Sequence, residues 1–377
     1  MRFLYISTGS EHRRKTQTKY NFWRVRQPTW HHHYKCIEGG STNKECNKKY
    51  VVKAIPKPSS DFEPHVSDPK NIFSSLKYLL IAFYKLSIPQ AIFTRTLSTI
   101  SASLLAVEKL SDISPLFFIG VLQAMIPFLF LDIYVTSVNQ LFDIEIDKIN
   151  KPYLPLASGE ISFKTGVIVG ASCLTLCICF GWIIGSWPLI WGLLFCLFVW
   201  TAYSIDVPLL RWKKHPLLAA LCMIVTWAFI FPISFFYHMQ TFVFKKPANF
   251  PRSLIFNVVF VSIFSVGMSL CKDIPDIEGD KTFGIYSLPA RIGLKRVFWI
   301  CVSLFEIAFG VALLMGATSS SSLWIKIVTG LGHAVLASIL WFKAKSVDLR
   351  HNASIASFYF FIWKLLSIEY FFMPLIR

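Results

Sequence analysis

The sequence predicts an all-α membrane protein with nine transmembrane spans, and three observations carry that expectation. Of the 377 residues, 54% are hydrophobic, above the roughly 45–50% of ordinary soluble domains. The excess is gathered in runs near the ~20 residues that carry a helix across a bilayer core of about 30 Å. The loops between those runs alternate between rich and poor in Lys and Arg, as they must if alternate loops lie on opposite membrane faces.

The chain opens with a basic segment. Residues 1–58 hold thirteen Lys and Arg against Glu11, Glu38 and Glu45, so 13 − 3 = +10 of the total net charge of +17 lies here. A basic, acid-poor terminus without an apolar run reads as an organelle transit peptide and not as a secretory signal. Residues 1–54 are expected to be a plastid transit peptide, with Val51-Val52-Lys53-Ala54 similar to the loose cleavage site of such segments. Basic charge also suits nucleic acid, but no binding module accompanies it, so no nucleic-acid partner is expected. Residues 55–75, rich in Pro, Ser and Asp, form a linker, and 76–86 an amphipathic helix leading into the membrane domain of 76–377.

Apolar spans follow at about 87–107, 114–138, 165–186, 189–205, 216–237, 253–271, 297–316, 322–342 and 355–375. Only Gly185-Ser186-Trp187-Pro188 separates the third from the fourth. Nine spans put loops 138–165, 205–216, 271–297 and 342–355 on one face, with fourteen Lys and Arg. The opposite loops carry Lys109, Lys245, Lys246 and Arg252. Positively charged loops stay on the side of synthesis or import. The nine cysteines give no disulfide framework, because seven lie in or beside apolar spans, where cysteine acts as a small hydrophobe.

Two acidic stretches stand on the positive face. In Asn139–Asp147, residues 139, 143 and 147 are four apart and share one face of a helix. In Lys272–Asp280 the same spacing relates Lys272, Asp276 and Asp280, with Asp273 three residues before Asp276. A single Asp at a membrane boundary is ordinarily a solvated loop charge. Seven acidic residues in two nine-residue stretches are different, since like charges so placed repel unless a cation is present. Carboxylate oxygens in this pattern suit Mg²⁺, which binds through one or two carboxylates plus substrate phosphates. The metal ligands expected are Asp143, Asp147, Asp273, Asp276 and Asp280. Asp143, Asp147, Asp276 and Asp280 are also the expected catalytic set. Asn139, Arg211, Lys213 and Lys272 are candidates to hold diphosphate oxygens, although Arg211 and Lys213 would equally serve as a positive-face anchor. Lys148 and Lys151 are weaker candidates.

These motifs, with Lys151-Pro152 and Pro155-Leu156-Ala157-Ser158-Gly159 after the first, resemble the two signatures of the UbiA superfamily of membrane prenyltransferases. Gln140 after Asn139 looks like the plant homogentisate branch. From about residue 75 onward the chain is most similar to the legume plastid flavonoid and isoflavonoid dimethylallyltransferases, with Ala106–Asp112 and Gly332–Ser338 among the matching stretches. One departure stands out: relatives often carry Arg-Pro at the start of the first span, where this chain has Ile88-Pro89, so that any role of that Arg is either lost here or supplied by Arg95.

The resemblance implies a helical bundle around a central chamber in a plastid membrane, with membrane lipid around it. It implies Mg²⁺, dimethylallyl diphosphate as prenyl donor and a phenolic acceptor of flavonoid or pterocarpan type. Metal at the paired Asp residues would stabilise the leaving diphosphate, and the allylic cation would be attacked by the phenol ring. Asp206, Glu145 or the released diphosphate would take the ring proton. Phe93, Trp200 and Trp227 are bulky residues that could shorten the chamber. Homogentisate phytyl or prenyl transfer is the alternative within the family. A transporter with an acidic ion site is the alternative outside it, but the carboxylates lie at helix ends and no inverted repeat is visible. A phosphatidyl-alcohol transferase would carry its acids in one continuous Gly-containing motif, absent here. The sequence names no protein partner.

Overall fold

A computed structural model of the protein describes residues 72–319 and 322–376. The expected transit peptide at 1–54 lies outside them. Among the described residues the regular structure is helical throughout. Helix α1 (Ile72–Leu86) begins inside the stretch expected to be linker and runs to α2 (Pro89–Leu105) through Ser87 and Ile88. There follow α3 (Pro115–Asn150), α4 (Phe163–Ile184) and α5 (Trp187–Ser204). The fifth span, Pro216–Val243, is a composite of α6 (Pro216–Met223), a π-helical segment Ile224–Ile230, α7 (Phe231–Tyr237) and a second π segment His238–Val243. Then come α8 (Arg252–Lys272), the short α9 (Ile277–Thr282) and α10 (Leu288–Ile292), α11 (Leu294–Thr318), α12 (Leu323–Lys345) and α13 (Asn352–Phe372).

The helix boundaries follow local chemistry. Proline opens α2, α3, α5 and α6 in the first turn, where its missing N–H is not needed. Ser162 caps α4 by accepting from Thr165 N at 3.1 Å, and Gly185 closes it in the left-handed region at φ 68°. That turn separates α4 from α5, so the expected third and fourth spans are two helices. Pro152 ends α3, because the residue before a proline is disfavoured in the α region.

Eight helices among the described residues are long and apolar enough to cross a membrane. The expected first span is a ninth helix, α2, but it has only 17 residues and buries Thr94, Ser98, Thr99, Ser101 and Ser103. Its polar face turns inward against the bundle and not toward lipid.

Two apolar clusters hold the bundle. One gathers α8, α11 and α13 around Phe260, Phe264, Phe305, Phe309 and Phe358. The other gathers α3, α4, α5 and α7 around Phe128, Cys177, Leu189, Phe231 and Phe235. Trp200 and Trp227 pack against both. Phe93, by contrast, is 59% exposed and points outward. It cannot shorten an interior chamber, because helix α2 turns its polar face inward and leaves this ring outside.

Candidate active site

Helix α3 runs unbroken through Asn139, Asp143 and Asp147, so the first polar stripe forms as its spacing predicts. The second does not form as expected. Helix α8 stops at Lys272 and α9 starts at Ile277. Pro275 explains the break: it has no N–H to donate and disfavours helix at Ile274. Asp273 and Asp276 therefore stand on a turn, and only Asp280 is helical. The four-residue spacing survives locally, since Asp280 N donates to the Asp276 carbonyl at 3.0 Å.

The two motifs meet. Lys151 Nζ, just past the end of α3, donates to Asp276 Oδ2 at 2.6 Å. One residue earlier, Asn150 Oδ1 accepts from Gly279 N at 2.9 Å. Asp147 lies within electrostatic reach of Asp143, Asp276, Lys151 and Lys213. Both stretches thus occupy one end of the bundle, as the loop charges predict.

The loop after α5 completes the cluster. Arg211 Nη2 donates to Asp143 Oδ1 at 3.4 Å, and Lys213 pairs with the other oxygen of Asp143. Arg211 is buried and sits in the left-handed region at φ 58°, a conformation that costs a non-glycine residue roughly 1–2 kcal/mol. Its contacts with Asp143 and Asp206 hold it there. Lys272 Nζ donates to Asp273 Oδ1 at 2.8 Å and to Tyr203 Oη at 3.3 Å. Asn139 points to Ser204 Oγ at 3.5 Å, at the edge of hydrogen-bond range. Burial lowers the Lys213 ammonium below its usual value although Asp143 acts in the opposite sense. For Lys151 burial also opposes the charge, but Asp276 and Asp147 outweigh it and raise the ammonium above its usual range.

The expected metal ligands and diphosphate-holding residues, Lys151 among them, are therefore at this end of the bundle, and Tyr203 and Asn150 join them. The Asn was legible in principle: 143, 147 and 150 continue one helical face. Tyr203 carried no signal beyond its place at the end of α5. Asp206 and Glu145, the residues considered as bases, are both exposed and already paired, Asp206 with Arg211 and Lys214 and Glu145 with Lys148.

Five carboxylates stand here interleaved with cations. Among the described residues no three acidic, His or Cys side chains are gathered tightly enough to enclose an ion. The donor set still fits Mg²⁺. Among the described residues Asp276 Oδ1 is buried with no hydrogen-bond partner, and the ion pairs of the site leave out Asp147 and Asp280. Burial, with Asp276 and Asp273 beside it, pushes the Asp280 carboxyl up to about 7. A cation nearby would favour its charged form. Arg211 Nε is likewise buried without a partner among the described residues, a donor suited to an anionic oxygen. Two grooves elsewhere, of about 570 Å³ beside Arg296 and Trp299 and about 390 Å³ beside Trp187 and Tyr237, touch none of these residues.

Residues 96–365 match the model of the UbiA prenyltransferase family. The chain belongs to that family. It is 60% identical to glycinol 4-dimethylallyltransferase of Glycine max and 52% identical to naringenin 8-dimethylallyltransferase 2, chloroplastic, of Sophora flavescens, each over 99% of this chain and 91% of the relative. Homogentisate phytyltransferase 1, chloroplastic, of Arabidopsis thaliana is 50% identical over 84% of this chain and 80% of its own length. The solved structure of a UbiA homolog from Archaeoglobus fulgidus bound to DMAPP and Mg²⁺ superposes with a TM-score of 0.51 over 76% of this chain and 99% of that one, at 16% identity. That likeness extends to the fold. The chain is a membrane-embedded transferase of prenyl groups, as its motifs predict.

Proposed function

We propose that this protein transfers a dimethylallyl group from dimethylallyl diphosphate to an aromatic carbon of a flavonoid-type phenol, a pterocarpan among them, in a plastid membrane. One observation carries the reading of the site: Asp143, Asp147, Asp273, Asp276 and Asp280 converge with Lys151, Arg211, Lys213 and Lys272 at one end of an apolar bundle. A diphosphate needs both kinds of group, cations for its oxygens and carboxylates for its accompanying metal. The identity to the two dimethylallyltransferases, extending over nearly the whole chain, supports the donor and acceptor class.

Asp143 and Asp147 would hold one Mg²⁺, and Asp276 and Asp280 another, with Asp273 beside them. Bound there, the metal supplies charge stabilisation to the departing diphosphate. The chain's own cations act on the same oxygens. Arg211 offers its unpaired Nε, while Lys213, Lys151 and Lys272 supply point charges. The allylic C–O bond breaks, a C–C bond to the ring carbon forms, and the ring proton leaves. Asp206 and Glu145 are turned to solvent and paired, so we assign that proton to the released diphosphate. The surrounding apolar helices exclude the water that would otherwise quench the cation. Residues 1–54 serve import only.

Membranes from an expressing host, supplied with Mg²⁺, test this reading. Dimethylallyl, geranyl and phytyl diphosphates are offered against homogentisate, a flavanone, an isoflavone and a pterocarpan, with products identified by mass and NMR. A dimethylallylated flavonoid-type product is expected. Efficient phytylation of homogentisate without any flavonoid product would move the chain to the homogentisate branch.

A further inference from the structure

The polar face of α3 does not end at Asn139. Asp132 lies 143 − 132 = 11 residues before Asp143, and at 3.6 residues per turn eleven residues come back to within about 20° of the same face. Thr136 and Asn139 fill the stripe between them, and no proline interrupts it. Along the axis Asp132 is about 16 Å below Asp143, at 1.5 Å per residue. There it meets Arg95 of α2, whose Nε donates to Asp132 Oδ2 at 3.3 Å. The two side chains are only 10% and 14% exposed. Charges at this depth are costly and face the interior of a bundle.

Aromatic rings fix the pair. The Arg95 guanidinium lies over Phe231, 3.2 Å from its centroid, and 5.7 Å from that of Trp227. Phe231 is braced edge-on by Phe128, and Trp227 by Trp363 at 5.2 Å. Trp227 sits in the first π segment, a distortion that often marks functional sites. Among the described residues, Asp132 is the only acceptor of a hydrogen bond from the Arg95 side chain.

We propose that the Arg95–Asp132 pair is the floor of the substrate space and restricts the donor to a short prenyl tail. The inference rests on the diphosphate being held at Asp143 and its neighbours, as proposed above. A tail descending the α3 face from there reaches the pair. With C–C bonds of about 1.5 Å, the main chain of a dimethylallyl group extends roughly 4 Å and that of a four-isoprene tail roughly 19 Å. The short tail ends well above the floor. The long one would have to part the guanidinium from its carboxylate, leaving two buried charges unpaired, which is strongly unfavourable.

The test is the ratio of kcat/KM for geranylgeranyl over dimethylallyl diphosphate with one fixed phenol, in detergent-solubilised full chain. In the wild type that ratio is expected below about 0.01. The Arg95→Ala/Asp132→Ala double variant removes both charges together and is expected to raise the ratio at least tenfold. Arg95→Gln/Asp132→Asn keeps more of the packing, and at least a threefold rise is expected there, which decides the matter if the alanine pair does not accumulate. A wild type that uses both donors equally well, or an unchanged ratio in a folded double variant, would overturn the floor. Wild-type turnover of dimethylallyl diphosphate with the phenol tests the site reading by itself. Its failure is therefore distinct from a failure of the ratio.

Discussion

Gly279 and Asn150 approach so closely that a Cβ at position 279 would lie 2.4 Å from Asn150 Oδ1, the atom that accepts from Gly279 N. This contact joins the last residue of α3 to the first turn of α9, and so sets one carboxylate motif against the other. Gly279 has no positive φ to explain it; the need is for close approach. A Cβ there should turn the Asn150 amide aside and break that hydrogen bond, since the atoms it meets are the end of a side chain. Gly279→Ala and Asn150→Ala both lose the bond, worth about 1 kcal/mol, and each should cost about tenfold in rate. Initial rates at saturating phenol, with matched protein levels, check both. Full activity in Gly279→Ala would show that the motifs need not be locked.

The carboxylates themselves should separate into two groups. Asp143→Asn, Asp147→Asn, Asp276→Asn and Asp280→Asn are each expected to cut turnover by at least a hundredfold and to raise the Mg²⁺ concentration needed for what remains. Glu278 is exposed and has no ion pair among the described residues, so Glu278→Ala should stay within about threefold of wild type. Chelation with EDTA should abolish turnover and added Mg²⁺ should restore it. A Mg²⁺ titration of each variant distinguishes a lost ligand from a misfolded chain.

The spans were legible because burial in lipid requires long apolar runs, and the common face of the two motifs because loop charge sets orientation. The first motif was legible in detail, since a helix that is already long continues through Asp147. The second was misread as a helix face. Pro275 is visible in the sequence, but spacing alone does not reveal that a break there still leaves Asp273, Asp276 and Asp280 together. The ion pairs were not legible at all. That Lys151 crosses to Asp276, or that Arg95 finds Asp132, depends on helix packing between residues 125 and 37 positions apart.

Arg211 offers a separation of stability from binding. Its left-handed backbone is strained by roughly 1–2 kcal/mol in any non-glycine residue. Arg211→Gly relieves that strain, and Asp143 keeps its pairing with Lys213. Thermal unfolding in detergent should fall little or not at all. Binding of the donor should nevertheless weaken about 10–100-fold, because the unpaired Nε and the Nη contacts are gone. Arg211→Lys keeps a charge but loses the planar fork, and should raise KM for the donor about tenfold. A large drop in melting temperature for Arg211→Gly would make the residue structural.

Phe93 and Trp227 both looked suitable for limiting chamber depth, and the fold treats them oppositely. Phe93 is mostly exposed on the outer side of α2, where its ring is replaceable by lipid or detergent. Phe93→Ala should leave the rate and the choice of donor within about twofold of wild type. Trp227 is half-buried, stands edge-on to Trp363, lies beside the Arg95 guanidinium and touches both apolar clusters. Full burial would make Trp→Ala worth roughly 3–5 kcal/mol, so a half-buried site should lose about 2–3 kcal/mol. Trp227→Phe keeps an aromatic face for the cation and part of the volume, and should recover at least half of that loss. Chemical unfolding of the detergent-solubilised chain gives the stabilities, and the dimethylallyl-to-geranyl product ratio gives the selectivity. A change of selectivity in Phe93→Ala with none in Trp227→Ala would mean that the prenyl tail leaves the bundle past α2 instead of descending toward Arg95.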